Sequence, residues 1–404
     1  MSPRDQARRA LAEQICSLPD SKLLKEWGVT RVADVTGLDR VGLPVYTSVR
    51  PTGASISISG GKGISRIDSK CSAIVEAAEL QAAENPWIHP DWVHCTHAEA
   101  EERYPNVVPF SLLQLSRDSP ATRNTTPMAF DEMNDVLRNK PIVVLSDMIW
   151  MEPRVKTPFI YFQSSSSGLA GGVNEQDSML QATLECIERD SWALAECVQE
   201  RGKILGVVSL EDPLPEQVKV CVDHLKKAGV HPFLFDITTD VGVPTFRATI
   251  LDDSPRSPGT FSGFGCSLDA EVAARRAITE SLQARCAYIS GARDDLFRRR
   301  FLLMKNIRTD LLLEAYRALP VNNDFSHYET VQFDSVESEW DAVVAKLKQA
   351  EISEVYCKTI YTSEDPSFCV VRVVCPELES PIWEHYATGK RAKKAIKELQ
   401  DAAS

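Results

Sequence analysis

The sequence predicts an α+β fold, with mixed sheets packed against helices, from two observations. An α-β-β pattern occurs twice, over residues 213–253 and 335–378. Each copy has an amphipathic helix ("PEQVKVCVDHLKKAG"; "ESEWDAVVAKLKQAE"), a strand ("VHPFLFDIT"; "SEVYCKTIYT") and a second strand ("VPTFRATIL"; "SFCVVRVVC"). A glycine-rich stretch also leads into a long helical period three times, at 60–84, 164–200 and 261–290.

In chain order, residues 4–17 and 20–27 read as short helices. Residues 41–51 and 54–60 alternate like strands, punctuated by Pro51, Gly53 and Gly60. "GGKG" (60–63) reads as a loop before a helix over about 66–84. Residues 100–150 look irregular, with 116–127 a mobile loop and "KPIVVLSDMIWM" one or two strands. "YFQSSSSGLAGG" and "FSGFGCSLD" read as glycine loops before helices over 175–200 and about 269–290.

Composition narrows the function. The 404 residues suffice for a large core, and the net charge of −12 argues against a general nucleic-acid or anionic-membrane surface. No apolar run reaches membrane-spanning length, and the N-terminus lacks a secretory signal's apolar centre. The 11 cysteines are scattered without a C-x-x-C, which predicts reduced, buried thiols in a cytoplasmic protein. His89, His94, Cys95 and His97 fit no standard zinc spacing and are expected to be structural. No P-loop or kinase signature is present.

The chemistry is expected on the three helices. Glu76/Glu79 lie in "SAIVEAAE", Glu185/Glu188 in "LECIERD" and Glu280/Gln283 in "TESLQAR". Residues three apart share a helix face, where like charges repel, and beside a buried stripe their desolvation adds a cost. Either of two compensators fits. Arg66, Arg189, Arg275 or Arg276 could build a structural network, or Mg²⁺ could bind with substrate phosphates near the glycine-bearing helix starts.

Several stretches carry a family resemblance: "GLDRVGLPVYTSVRP", "SISGGKG", "SAIVEAAE", "SSSSGLAGG…LECIERD" and "GFGCSLDAEVAARRAITESLQAR…SGARDDL". Together they resemble the YcaO superfamily, most closely its TfuA-associated branch, over about residues 30–380. The resemblance implies the YcaO-type fold, with an ATP/Mg²⁺ site formed by the three acidic helices. It also implies ATP-dependent transfer of phosphate to a peptide amide oxygen, attack of a nucleophile on the amide carbon, and loss of phosphate. A sulfide equivalent gives a thioamide, a neighbouring Cys, Ser or Thr an azoline, and an amine an amidine.

By residue, the resemblance makes Glu76, Glu79, Glu185 and Glu188 metal ligands. Ser72, Lys62, Asn174, Asp177, Arg189 and Glu280 become cofactor contacts, and Glu188, Gln283 and Arg285 catalytic residues. Lys62 is equally readable as a rim charge. The family's second motif commonly reads "GNTxEEA" where this chain has "GGVNEQDS", and Leu80 stands where Arg commonly follows Glu79.

The basic tail "KRAKKAIKELQDAAS" carries no proline, and with "SGARDD" it favours thioamide formation over cyclisation. The expected partners are a precursor peptide or protein and a TfuA-like or leader-binding protein; a homodimer is the default assembly. The expected divisions are a helical segment at 1–30, the core with the ATP/Mg²⁺ site at 31–300, and an α/β portion with a helical tail at 301–404. The alternatives at this point are a non-catalytic ATP-binding scaffold and acidic pairs used purely in salt bridges.

Overall fold

The structure, a computed structural model, describes residues 3–17, 22–84, 93–115, 119, 121–151, 165–203, 205–211, 213–254, 257–293, 308–329, 331–380 and 388–403. The chain runs α1 (Pro3–Ser17), α2 (Lys22–Glu26), β1 (Arg31–Asp34), β2 (Val45–Val49), β3 (Ile58–Lys62) and α3 (Arg66–Glu84). It continues through β4 (Val93–Thr96), α4 (His97–Arg103), β5 (Pro127–Asp135), β6 (Lys140–Leu145), α5 (Ser146–Ile149), β7 (Leu169–Gly172) and α6 (Glu175–Gln199). Next come β8 (Val207–Val208), α7 (Glu216–Lys227), β9 (His231–Asp236), β10 (Thr245–Leu251), β11 (Thr260–Cys266) and α8 (Ala270–Ser290). The last elements are α9 (Thr309–Arg317), β12 (Val321–Asn323), α10 (Val336–Gln349), β13 (Tyr356–Glu364), β14 (Ser367–Val374) and α11 (Lys390–Ala403).

The chain divides into two compact units, one of residues 1–78 and 202–339 and one of 79–201 and 340–404. The first holds a sheet ordered β1-β2-β3 and a second ordered β11-β10-β9-β8-β12. Helix α7 buries Val218, Cys221, Val222 and Leu225, a single helical stripe, into a core shared with Phe246, Ala248 and Ile250 of β10 and the small residues Ala273 and Ala277 of α8. The second unit holds a sheet ordered β4-β5-β13-β14-β7, with β6 paired to β5. Helix α6 packs on β14 and β7.

Both α-β-β units are present: β9 and β10 pair antiparallel after α7, and β13 and β14 pair antiparallel after α10. The expected strand at 54–60 is displaced to Ile58–Lys62, because the Pro51–Thr52 turn, closed by the Gly53 N–H on the Arg50 carbonyl at 3.0 Å, and the bend after it take up the residues before it. The stretch 100–150 is more regular than its sequence suggested. Residues 127–135 and 140–145 form the β5–β6 hairpin, closed by Asn139 at φ 48, a conformation Asn tolerates better than most residues. Of the expected loop, residues 116–118 and 120 lie outside the described residues, as do His89 and 294–296 of "SGARDDL".

The main correction concerns the glycine stretches. They are not free loops: each contributes a strand, β3, β7 or β11, at the edge of its sheet. Their glycines let the following helix lie against the strand backbone. A Cβ on Gly61 would overlap the Ser69 carbonyl oxygen and the Ala73 amide nitrogen of α3. On Gly265 it would overlap the Ala273 carbonyl of α8 and stand 2.7 Å from the Ala277 nitrogen. On Gly172 it would stand 2.8 Å from the Ser178 Oγ of α6.

Gly61→Ala and Gly265→Ala should therefore each destabilise by about 1–3 kcal/mol, because backbone must move. Gly37→Ala, which meets nothing within 4 Å, should stay within about 0.5 kcal/mol of wild type. Urea unfolding midpoints at constant slope check both.

Candidate functional site

In the first unit, strand β3 and helices α3 and α8 bring Lys62, Glu76, Glu280 and Gln283 together. Lys62 Nζ pairs with Glu280 Oε2, so the lysine is a charge partner of the third acidic motif. Gln283 lies over Gly60, where a Cβ would stand 2.5 Å from its Nε2. Burial pushes the Glu76 carboxyl up to about 7; Arg293 and Lys62 oppose the rise and Glu280 adds to it. Ser72, partly buried, is one turn before Glu76 on α3.

Arg285 stands apart from that group's open side chains. It is 2% exposed; its Nε donates to Asp39 at 2.8 Å and its Nη2 to Asp252 at 3.0 Å. Among the described residues its buried Nη1 finds no hydrogen-bond partner. Asp252 also accepts from Arg40 Nη2 at 2.9 Å. Asp39 and Asp252 were not anticipated as partners, although Asp39 lies in the "GLDRVGL" stretch and Asp252 directly follows β10.

In the second unit, α6 presents Glu185 and Glu188 on one face. Arg189 spans them, 3.1 Å from Glu185 Oε1 and 3.3 Å from Glu188 Oε1, with its guanidinium 5.6 Å from the Trp192 ring centroid. Glu79, on the part of α3 that belongs to this unit, accepts the Gly171 N–H of β7 at 2.6 Å. Asn174 is the N-cap of α6: its Oδ1 accepts the Asp177 N–H at 2.9 Å, while the buried Asp177 carboxylate accepts the Val173 N–H at 3.2 Å. Within "GGVNEQDS" the Asn174 Oδ1 and the Asp177 carboxylate thus bond at the helix start.

Of the four arginines proposed as structural compensators, Arg189 lies on an acidic pair. Arg66 pairs with Asp34, and Arg276 Nη1 donates to the Cys266 carbonyl at 3.4 Å. The buried Nε of Arg275 finds no hydrogen-bond partner among the described residues. Asp190, inside "LECIERD" but overlooked by the sequence reading, is fully buried and binds Arg391 of α11 through both carboxylate oxygens, at 2.8 and 2.9 Å.

The histidine cluster is structural where it is described. His94 is exposed and Cys95 buried, and the buried His97 places Nε2 2.8 Å from the Val108 carbonyl. All 11 cysteines are free thiols. No helix among the described residues is long and apolar enough to cross a membrane.

The donor chemistry suits Mg²⁺. The acidic sets offer only hard oxygens, and Glu76 is a carboxyl whose ionisation is opposed by burial, which a cation would reverse. Among the described residues no three His, Cys, Asp or Glu side chains form a closed metal cage. Mg²⁺ held through one or two carboxylates plus nucleotide phosphates and water needs none.

Residues 60–379 match the sequence model of a family described as YcaO cyclodehydratase, ATP- and Mg²⁺-binding. The chain belongs to the YcaO family. It is an ATP-dependent YcaO-type enzyme with ATP and Mg²⁺ as cofactors. It is 27% identical to an uncharacterized protein of Methanothermobacter thermautotrophicus, over 91% of this chain and 94% of that protein. A Rhizobium leguminosarum bv. trifolii protein, described as lying in the tfuA 3′ region, is 33% identical over 67% of this chain and 65% of its own length. That neighbourhood agrees with the TfuA-associated branch.

The fold matches YcaO from Methanopyrus kandleri bound with AMPPCP and Mg²⁺ at a TM-score of 0.69 and 18% identity, over 96% of this chain and 95% of that one. A heterocyclase in complex with substrate and cofactor aligns at a TM-score of 0.74 and 18% identity over 92% of this chain. This chain spans only 52% of that heterocyclase.

The Glu76 shift gives a test. A raised folded-state pKa contributes stability that is complete below the ordinary value of 4.5 and is lost as pH rises through about 7. Glu76→Gln removes that loss. In metal-free protein the variant's advantage over wild type should grow between pH 5 and pH 8, toward on the order of 3 kcal/mol. Chemical denaturation across that range measures it.

Proposed function

We propose that this enzyme O-phosphorylates a backbone amide of a ribosomally made peptide or protein and replaces the oxygen with sulfur, giving a thioamide. The observation that carries the choice of sulfur is the similarity to a protein in the tfuA 3′ region. A TfuA-like protein is the partner this reading calls for, with a precursor peptide as substrate. The second reading is azoline formation from Cys, Ser or Thr, favoured by the family's description as a cyclodehydratase.

In either case Glu76, Glu79, Glu185 and Glu188 are the proposed Mg²⁺ ligands. These carboxylates would hold a Mg²⁺ that, when bound, would supply positive charge to the transferring phosphate. Lys62, Ser72, Glu280 and Arg189 are proposed to contact or orient the nucleotide. Gln283 and Glu188 are proposed to act at the reacting phosphate. Asn174 and Arg285 enter through the groups their own bonds leave over, Nδ2 and the orphaned Nη1, while Asp177 keeps the start of α6 in place. Phosphorylation makes the amide oxygen a good leaving group, so positioning and charge stabilisation suffice for catalysis.

Glu188→Ala and Glu185→Ala should each lower peptide-dependent phosphate release about 100-fold or more, the equivalent of about 3 kcal/mol of transition-state stabilisation. Their melting temperatures without ligand should stay near wild type. Undiminished phosphate release by Glu188→Ala would sink its assignment. Mass spectrometry of the peptide separates the two readings: exchange of oxygen for sulfur supports the thioamide, and loss of water supports the azoline.

A further inference from the structure

The second unit contains a cavity of about 110 Å³ whose wall carries two thiols, Cys186 of α6 and Cys375 just beyond β14. Interaction with the Cys186 thiol, together with burial, raises the Cys375 thiol well above its ordinary value. Cys186 Sγ also donates to the Val373 carbonyl at 3.8 Å, two residues before Cys375. Gly168, at φ +79, makes room for the Val373 carbonyl and Cys186: a Cβ there would overlap the Val373 oxygen and stand 3.1 Å from Cys186 Sγ. Cys186 is partly exposed and Cys375 buried, so one thiol is reachable and the other sits behind it.

Arg372 lines the same wall and is 2% exposed. Its three hydrogen bonds all go to carbonyl oxygens, of Ile149 at 2.9 Å, Ser167 at 2.6 Å and Ser165 at 2.8 Å. A guanidinium carries five N–H donors, so donors remain; among the described residues its hydrogen bonds reach carbonyls only, while the Glu185 carboxylate acts on its charge. The wall also carries Arg189 and the carboxyls of Asp147 and Glu379, so a small anion in the cavity would be drawn to the guanidiniums.

We propose that Cys186 and Cys375 are a sulfur-transfer pair: Cys186 takes a sulfane sulfur atom from a persulfide donor, and Cys375 releases it into the cavity as hydrosulfide beside Arg372. In the first step Cys186 Sγ attacks the outer sulfur of a persulfide R–S–SH. The donor's S–S bond breaks, and R–SH leaves with the proton of the Cys186 thiol, giving Cys186–S–SH. In the second step Cys375 Sγ attacks Cys186 Sγ, the bond to the outer sulfur breaks, and HS⁻ leaves while the Cys375 proton is released. The two cysteines give up two electrons and become a disulfide; the sulfane sulfur accepts them and becomes sulfide. A dithiol reductant restores the pair.

The pair's role as sulfur supply rests on the thioamide reading, whereas its thiol chemistry is tested without peptide or ATP. The full-length protein, Cys186→Ser, Cys375→Ser and Cys375→Ala are incubated with glutathione persulfide. Sulfide release and site-resolved mass spectrometry are followed, and thermal melting verifies each variant's fold. Wild type should release sulfide and acquire the Cys186–Cys375 disulfide. Both Cys375 variants should retain the extra sulfur on Cys186 and release at least about 10-fold less sulfide. Cys186→Ser should do neither.

Equal sulfur loading of Cys186→Ser, or undiminished sulfide release by both Cys375 variants, would overturn the pair. Sulfide release by wild type with no thioamide ever formed on peptide would overturn the thioamide reading and leave the pair standing. Thioamide formation from sodium sulfide by a protein that takes no sulfur on Cys186 would do the reverse.

Discussion

Close approach of helix backbone to strand backbone is the constraint on which the rest depends. Helices α3, α6 and α8 each lie against the glycine-bearing strand that precedes them in sequence. With no Cβ between them, the first turns of each helix are pinned. The acidic positions farther along are then set by the helical rise of about 1.5 Å per residue. The interval from glycine to acid is nearly conserved within the chain, 13 residues for Gly63–Glu76 and Gly172–Glu185 and 15 for Gly265–Glu280. A rigid strand–helix joint is a more accurate source of position than a loop, which matters where catalysis consists of placing phosphate and cation.

The carboxylates so placed are not treated alike. Glu280 is neutralised by Lys62, Glu185 and Glu188 share Arg189, and Glu79 is held by a backbone N–H. Glu76 instead has its proton affinity raised by burial. Purely structural acid pairs would be expected to settle into matched ion pairs. A cation bound beside Glu76 would favour the ionised form that burial opposes.

The acidic pairs were legible because period and spacing are local properties. The α-β-β units were legible because each is an amphipathic helix followed by a hairpin. The glycine stretches were misread as loops because glycine has low strand propensity, and its value here lies in what packs over it, which no local pattern encodes. The β5–β6 hairpin was missed for a related reason: "PMAFDEMND" carries three acids, and its buried face alternates only in part. Partnerships such as Arg285 with Asp39 and Asp252 join residues 246 and 33 positions apart, a distance at which sequence reading has no purchase.

Two deeply buried arginines show how partners separate a structural charge from an available one. Arg285 is clamped by two carboxylates; although burial opposes it, those acids hold its pKa above the ordinary value. Such a group is expensive to disturb and has little left to offer a ligand except Nη1. Arg372 is bonded to carbonyls alone, and burial lowers it to about 10. Carbonyl dipoles fix its orientation, and its charge persists at neutral pH on the wall of the cavity. An oriented guanidinium on the same cavity wall as two thiols is what an anion that comes and goes would use.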